Sequence, residues 1–262
     1  MASTFNLERL SHFFTAHWAA TLSALGVAVI VPIIISDYRL YISYGPNGLP
    51  NNLKGWLITS ALRLLAREQR SSGLYNDKTL LFANEPGFLA ADFPPQRRSS
   101  RPTMGPHPAP HRQLDQLPDK AAREKLIARF QELGQHAQAK GLIDLRQSLY
   151  EKQHTAMFVA KARPWHSIAQ QTRGETAHVH AGIDGSVHVV LHPADCKSVL
   201  EAGWGERQAL DGVEFLKKLV GASLPVNYIL LYAPRDDAEL ETVLSILKAS
   251  IRFMAGARDT LG

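Results

Sequence analysis

From Glu175 to His192 the chain reads Glu-Thr-Ala-His-Val-His-Ala-Gly-Ile-Asp-Gly-Ser-Val-His-Val-Val-Leu-His, a pattern that admits little besides a two-stranded antiparallel ribbon. Ala181 to Gly185 supply turn chemistry between two β-rich runs, so the simplest register sets His180 opposite Ser186 and His178 opposite His188. Side chains alternate along a strand. That alternation places His178, His180, His188 and His192 on one face, and leaves Ala177, Val179, Val187, Val189 and Leu191 as an apolar face fit to cover a core.

A second constraint lies near the start. No formally charged residue occurs between Leu10 and Ser36, and the run from Trp18 to Ile35 is almost wholly apolar, matching the ~20 residues a helix needs to cross a bilayer core. A small-x-small cleavage site is missing before Asp37, which favours an uncleaved N-terminal anchor over residues 10–36 rather than a signal peptide. The flanking charges, Glu8 and Arg9 before it and Asp37, Arg39 and Lys54 after it, lean slightly towards a body on the cytosolic side of a membrane of endoplasmic-reticulum type. Cys196 is the single cysteine, so an intrachain disulfide and a four-cysteine zinc site are both excluded. The net charge of +5 is not accompanied by a nucleic-acid motif with stacking aromatics; it suits a surface near anionic lipid instead.

Residues 37–117 read as a linker helix, Leu53 to Arg70, and a long proline-rich loop packing on the body, with residues 118–262 as the main domain and 37–262 as one globular unit. Pro118 to Gly141, Pro193 to Ala202 and Asp236 to Phe253 carry helical spacing. Strands are expected at His154 to Ala160, Trp165 to Gln171, the hairpin, and Val226 to Tyr232. The predicted class is α+β, a mainly antiparallel sheet flanked by helices and preceded by one transmembrane helix.

Three imidazoles whose directly opposed Cβ atoms sit about 4.5–5.5 Å apart can bind a transition metal or act as bases near neutral pH. A half-solvated polar face is the bland reading of His178, His180 and His188, and the residues alone leave both standing. His192 reads first as a cap for the helix beginning at Pro193. In Gly203-Trp204-Gly205-Glu206-Arg207, a turn after a helix, Trp204 is placed to wall an aromatic ligand and Arg207 to bind an anion, against a plain helix stop with a packed Trp. Tyr232 and Arg235 end a strand, where polar residues commonly meet ligands. Arg101, His107, His111 and Arg112 belong to the proline-rich loop and are candidates for a lid or for simple solvation. Phosphate loops, nucleophile elbows and His-Glu-x-x-His helices do not occur.

A dispersed set of residues carries a resemblance. It comprises Pro32-Ile-Ile, Asp37-Tyr38, Gly45-Pro46, Arg67-Glu-Gln69, Arg101-Pro102, His107 and Arg112-Gln113, then Glu175-x-Ala-His178-x-His180, Asp184, His188, Gly203-Trp-Gly-x-Arg207 and Leu231-Tyr-Ala-Pro-Arg235. In this order the set resembles the fungal luciferase family, whose members oxidise a hydroxylated styryl-pyrone, 3-hydroxyhispidin, with molecular oxygen. The resemblance implies a cofactor-independent course through an endoperoxide with loss of carbon dioxide, oxygen being the co-substrate and the pyrone and membrane lipid the partners. Together with the shared hairpin face it points to His178 or His180 as base, to His188 as orienting that base or binding the developing peroxide, and to Trp204, Arg207, Arg235, Tyr232, Glu175, Asp184, Arg101, His107 and Arg112 around the substrate. Gln208-Ala209 stand where the family pattern has His-Pro. Two other expectations stay open: a divalent metal on His178, His180 and His188, completed by Asp184 or Glu175, and a non-catalytic polyphenol- or lipid-binding protein.

Overall fold

The computed structural model describes residues 15, 17–46, 48–213, 224–258 and 261, so residues 10–14 and 16 of the expected anchor, with Glu8 and Arg9, lie outside the described residues. The chain divides into two compact units, Met1–Tyr44 and Gly45–Gly262. The first contains helix α1, Trp18–Ser43, of 26 residues. At 1.5 Å per residue it runs to about 39 Å, more than the ~30 Å of a bilayer core. Leu22, Leu25, Val29, Ile30 and Ile33 turn outwards on it. It is therefore long and apolar enough to cross a membrane, and it continues past the expected end through Asp37 and Arg39.

In the second unit, among the described residues, six strands form one antiparallel sheet in the order β1-β2-β3-β4-β6-β5. They are β1 Ile143–Gln147, β2 Thr155–Val159, β3 Glu175–Val179, β4 Val187–Val190, β5 Gly205–Arg207 and β6 Tyr228–Leu231. The expected hairpin register holds, with His178 paired to His188 and the His180 amide donating to the Ser186 carbonyl at 2.9 Å. The α+β class, with helices and a mainly antiparallel sheet, holds as well.

One face of the sheet carries the helices. Ala177, Val179, Val187, Val189, Ile229 and Leu231 meet α3 (Lys120–Ala139), α5 (Pro193–Glu201) and α6 (Asp237–Met254) in one core. Leu240, Val243, Leu244, Leu247 and Ile251 form the inward stripe of α6, all nearly inaccessible; each such side chain stabilises the fold by about 1.5–3 kcal/mol relative to exposure. Helix starts follow local rules. Asp119 and Asp236 accept from Ala122 and Glu239 amides at 2.8 Å, and His192 accepts from Ala194 at 3.2 Å through Nδ1. Gly203, at φ +79°, ends α5 in the left-handed region that a Cβ disfavours.

Three expected elements differ. The helix over 53–70 stops early: α2 spans Leu53–Leu62, a 3₁₀ turn takes Arg63–Leu65, and the following chain is extended so that the Arg67 amide donates to the Ala209 carbonyl. Trp165 to Gln171 is not a strand; His166 caps the short helix α4, Ser167–Gln171. Gly203 to Arg207 is not merely a turn, because Gly205–Arg207 form β5 against β6.

Candidate functional site

The histidine face is covered as well, over the imidazoles by non-repetitive chain and around Val190 and Tyr228 by a second cluster that includes Ile168 and Ala169 of α4 and Phe253 and Met254 of α6. Residues 108–112 and 149–152 lie over β3 and β4 and border a partly open cavity of about 270 Å³, lined chiefly by His178, His180, His188, Tyr150, Tyr228, His111, Arg112, Glu151 and Gln208. The three strand histidines are 2–5% exposed, so the half-solvated reading of this face fails. One ligating atom from each lies within 4.8 Å of the others, and the ring centroids are 5.5, 5.2 and 5.1 Å apart. Sheet geometry produces this triangle: His178 and His180 are two apart on β3 and its extension, and His188 is the cross-strand partner of His178.

Each ring is held from behind in a different way. His178 Nδ1 is 2.7 Å from Glu175 Oε1, and that carboxylate also accepts from Ser148 Oγ and the Leu149 amide. His180 Nδ1 is 2.9 Å from Ser186 Oγ, which donates in turn to Asp184 at 2.7 Å. His188 stacks on Tyr228 with centroids 4.7 Å apart, and its Nδ1 is buried without a hydrogen-bond partner. Burial, then the Arg112 guanidinium, hold the His180 pKa down to about 4. Burial, then the neighbouring histidines, hold His188 well below the usual range. Both rings are consequently neutral lone-pair donors at neutral pH. Burial raises the Asp184 carboxyl, but His180, Arg112 and Ser186 outweigh it and bring it to about 2. The Tyr150 hydroxyl is pushed up to about 12 by burial and Glu175, which keeps it a proton donor.

A fourth histidine reaches the cavity from the proline-rich loop. His111 Nε2 lies 2.9 Å from Glu206 Oε1. Burial pushes the Glu206 carboxyl up, and the hydrogen bond and charge of His111, with Tyr232 and Arg70, more than offset that. An ionised carboxylate accepts only, so Nε2 carries the hydrogen that Glu206 receives, with the Gln69 side-chain nitrogen 3.2 Å from the same atom; Nδ1 is buried without a hydrogen-bond partner. Arg112 pairs with Glu151 at 2.9 Å, both buried.

Of the residues expected around a substrate, the structure brings together His178, His180, His188 and Arg112 on the cavity wall, with Glu175 and Asp184 directly behind. The others lie elsewhere. Trp204 sits in the helix-side core, its indole N–H donating to the Pro95 carbonyl. Arg207 pairs in register with Ile229, whose side chain is in the same core, and its guanidinium meets the Glu68 carbonyl and Asp211. Arg235 is bound to Glu239 and Ser99. Tyr232 donates to Glu206 at 3.1 Å, and Arg101 donates to the Gly205 and Leu200 carbonyls. His107 is buried against Arg63. These six are not among the cavity's lining residues and hold the surrounding segments in place. Gln208 does line the cavity, and its amide bridges the Pro108 carbonyl and the Leu210 amide. Tyr228, Tyr150, Glu151 and Glu206 were not anticipated; only Tyr228, at the start of an expected strand, left a signal in the sequence.

A family model described as "Luciferase domain" matches residues 173–250, which contain β3, β4 and the three histidines. A protein called "Luciferase" from Armillaria mellea is 33% identical over 247 residues, 90% of this chain and 88% of that protein. Those of the same name from Armillaria gallica and Neonothopanus nambi are each 32% identical, covering 95% and 94% of this chain and 93% and 91% of their own lengths. No solved structure matches significantly.

Proposed function

Because this chain belongs to the fungal luciferase family, we propose that its cavity takes a hydroxylated styryl-pyrone of the 3-hydroxyhispidin type and oxidises it with O₂, with emission of light. The observation that carries this is the convergence of four imidazoles, two of them backed by buried carboxylates, on one cavity. At about 270 Å³ it is near the ~300 Å³ lower end of small-molecule sites, which suits one flat ligand. Tyr228 and Tyr150, 5.7 Å apart edge to face, offer aromatic walls for its rings.

His111 Nδ1 accepts the enol proton, with Glu206 stabilising the imidazolium formed. The enolate oxygen lies between the strand trio and Arg112, whose guanidinium N–H groups supply donors on that wall while Glu151 balances its charge. The electron-rich enolate reduces O₂ by one electron, the two radicals join, and ring closure gives the endoperoxide. Breaking its O–O bond together with the ring C–C and C–O bonds that hold the lactone carboxyl releases that carboxyl as carbon dioxide, leaves one peroxide oxygen on each ring carbon, and lets the His111 imidazolium return its proton to the product. Substrate and O₂ leave as one oxidised product and CO₂, so no external reductant enters. The apolar α1 would keep the body beside a membrane in which a polyphenol concentrates.

Oxygen uptake and photon emission should be recorded together on membranes given 3-hydroxyhispidin. His111→Gln should lower turnover about 10²- to 10⁴-fold in folded protein. Unchanged turnover would refute the role of His111, and absence of both oxygen uptake and light in wild type would refute the substrate.

A further inference from the structure

We propose that His178, His180 and His188 form a binding site for one divalent transition-metal ion whose remaining coordination positions open into the cavity. The ligating atoms already lie within 4.8 Å of one another. Metal–imidazole bonds of about 2.0–2.1 Å require only that the side chains draw inwards from that spacing, while their positions on β3 and β4 are set by the sheet.

Two features distinguish this trio from histidines that merely pack. The Nδ1–H groups of His178 and His180 are engaged, one by Glu175 at 2.7 Å and the other by Ser186, itself held by Asp184. This fixes the tautomer and aims Nε2 outwards, the arrangement by which outer carboxylates orient metal-bound imidazoles. His188, 5% exposed, keeps a buried nitrogen with no hydrogen-bond partner, a polar group that the protein alone leaves unsatisfied.

Charge points the same way. Glu175, Asp184 and Glu151 carry ion-pair geometry to His178 or His180 at 2.7, 3.4 and 3.7 Å. Arg112 offsets one of these carboxylates, which leaves two negative charges around the trio for a dication to neutralise. An all-imidazole donor set suits zinc, cobalt or copper over the oxygen-seeking magnesium and calcium. Three protein ligands are also the number that leaves an open position for substrate. Cys196 does not compete, being in the core on the opposite face of the sheet. The catalytic consequence rests on the function proposed above: the ion would hold the enolate oxygen that the trio faces, His111 remaining the proton acceptor.

Full-length protein purified in detergent, stripped with chelator and titrated with Co²⁺ or Zn²⁺ tests the site without any substrate. The expected result is one equivalent retained through desalting, with cobalt absorption typical of four-coordinate nitrogen and oxygen ligation and without thiolate bands. His188→Gln should abolish retention, Glu175→Gln should weaken it about 10- to 100-fold, and His136→Gln, on an exposed helix position, should leave it unchanged. Zero stoichiometry, or undiminished binding in folded His188→Gln, overturns the proposal. If that variant does not fold, the wild-type cobalt spectrum decides: octahedral all-oxygen absorption overturns it. Full oxygen uptake and light from chelator-treated protein, verified metal-free, overturn a catalytic ion while leaving the luciferase reading intact. Metal binding without pyrone turnover does the reverse.

Discussion

Acidification from about pH 7.5 to about 5.5, with chelator present, exposes the proton linkage of the buried site. His180 titrates at about 4 in the folded chain, against an ordinary value near 6.5. The unfolded chain therefore binds a proton that the folded chain refuses, so stability is full above about 6.5 and falls as the pH drops towards about 4. Only the lower half of the interval counts, which amounts to about 1.4 kcal/mol for His180. His188 shifts in the same direction. Asp211 opposes both: burial lifts its carboxyl to about 7, so the folded chain keeps a proton that the unfolded one releases. That group stabilises by about 2 kcal/mol over the same interval, and the raw profile will look shallower than the histidines alone dictate. The decisive quantity is the difference between wild type and His180→Gln, because Gln retains a donor for Ser186 and does not titrate. Urea unfolding of the detergent-solubilised full chain, followed by tryptophan fluorescence, should show that difference moving by about 1.4 kcal/mol in favour of the variant on acidification. A difference constant to within about 0.3 kcal/mol, or one moving the other way, would refute a neutral, buried His180.

Trp204→Ala should cost about 3–5 kcal/mol of stability yet leave KM for the pyrone unchanged at a temperature where it folds; a raised KM would put the indole back at the substrate. Tyr228→Leu should do the converse, raising KM about 3- to 10-fold through lost ring contact, as steady-state oxygen uptake would report. Arg112→Met strands Glu151 as a buried charge and should cost about 3–5 kcal/mol. Adding Glu151→Gln should recover most of that loss, and urea midpoints that stay low in the double variant would argue against the pair. Gln208→His keeps only one of the two backbone hydrogen bonds and should cost about 1 kcal/mol; equal midpoints would mean that Pro108 is held by other contacts.

What the sequence disclosed depended on how far each signal acts. The His178–His188 pairing was legible because two-residue alternation over nine positions defines both faces and the register at once. The caps Asp119, His192 and Asp236 were near-neighbour signals and marked helix starts to within about two residues. β5 was hidden because three residues containing a glycine have no periodicity of their own and become a strand only by pairing with β6. Trp165 and Ile168 gave a strand-like composition to a segment that His166 capped into a helix. Among site residues, the turn motif holding Trp204 and Arg207 gave no sign of which way they point, and the pleat turns Arg207 towards the core side along with Ile229. Tyr150 and Glu151 could not be found, since they reach the cavity from a loop whose path is set by Ser148 and Glu175.

The two walls of the cavity are built from different materials. Its floor belongs to β3 and β4, interior strands hydrogen-bonded on both sides, while its roof is irregular chain fastened by a few side chains such as Gln208, Arg112 and Glu175. Variation confined to Leu49 and Leu149 therefore reshapes the opening while the three strand imidazoles beneath it keep the positions the sheet gives them. For an engineer this divides the site by position: a library drawn over Leu49 and Leu149 explores new ligand shapes, while the strand histidines, His111 and Arg112 are left as inherited.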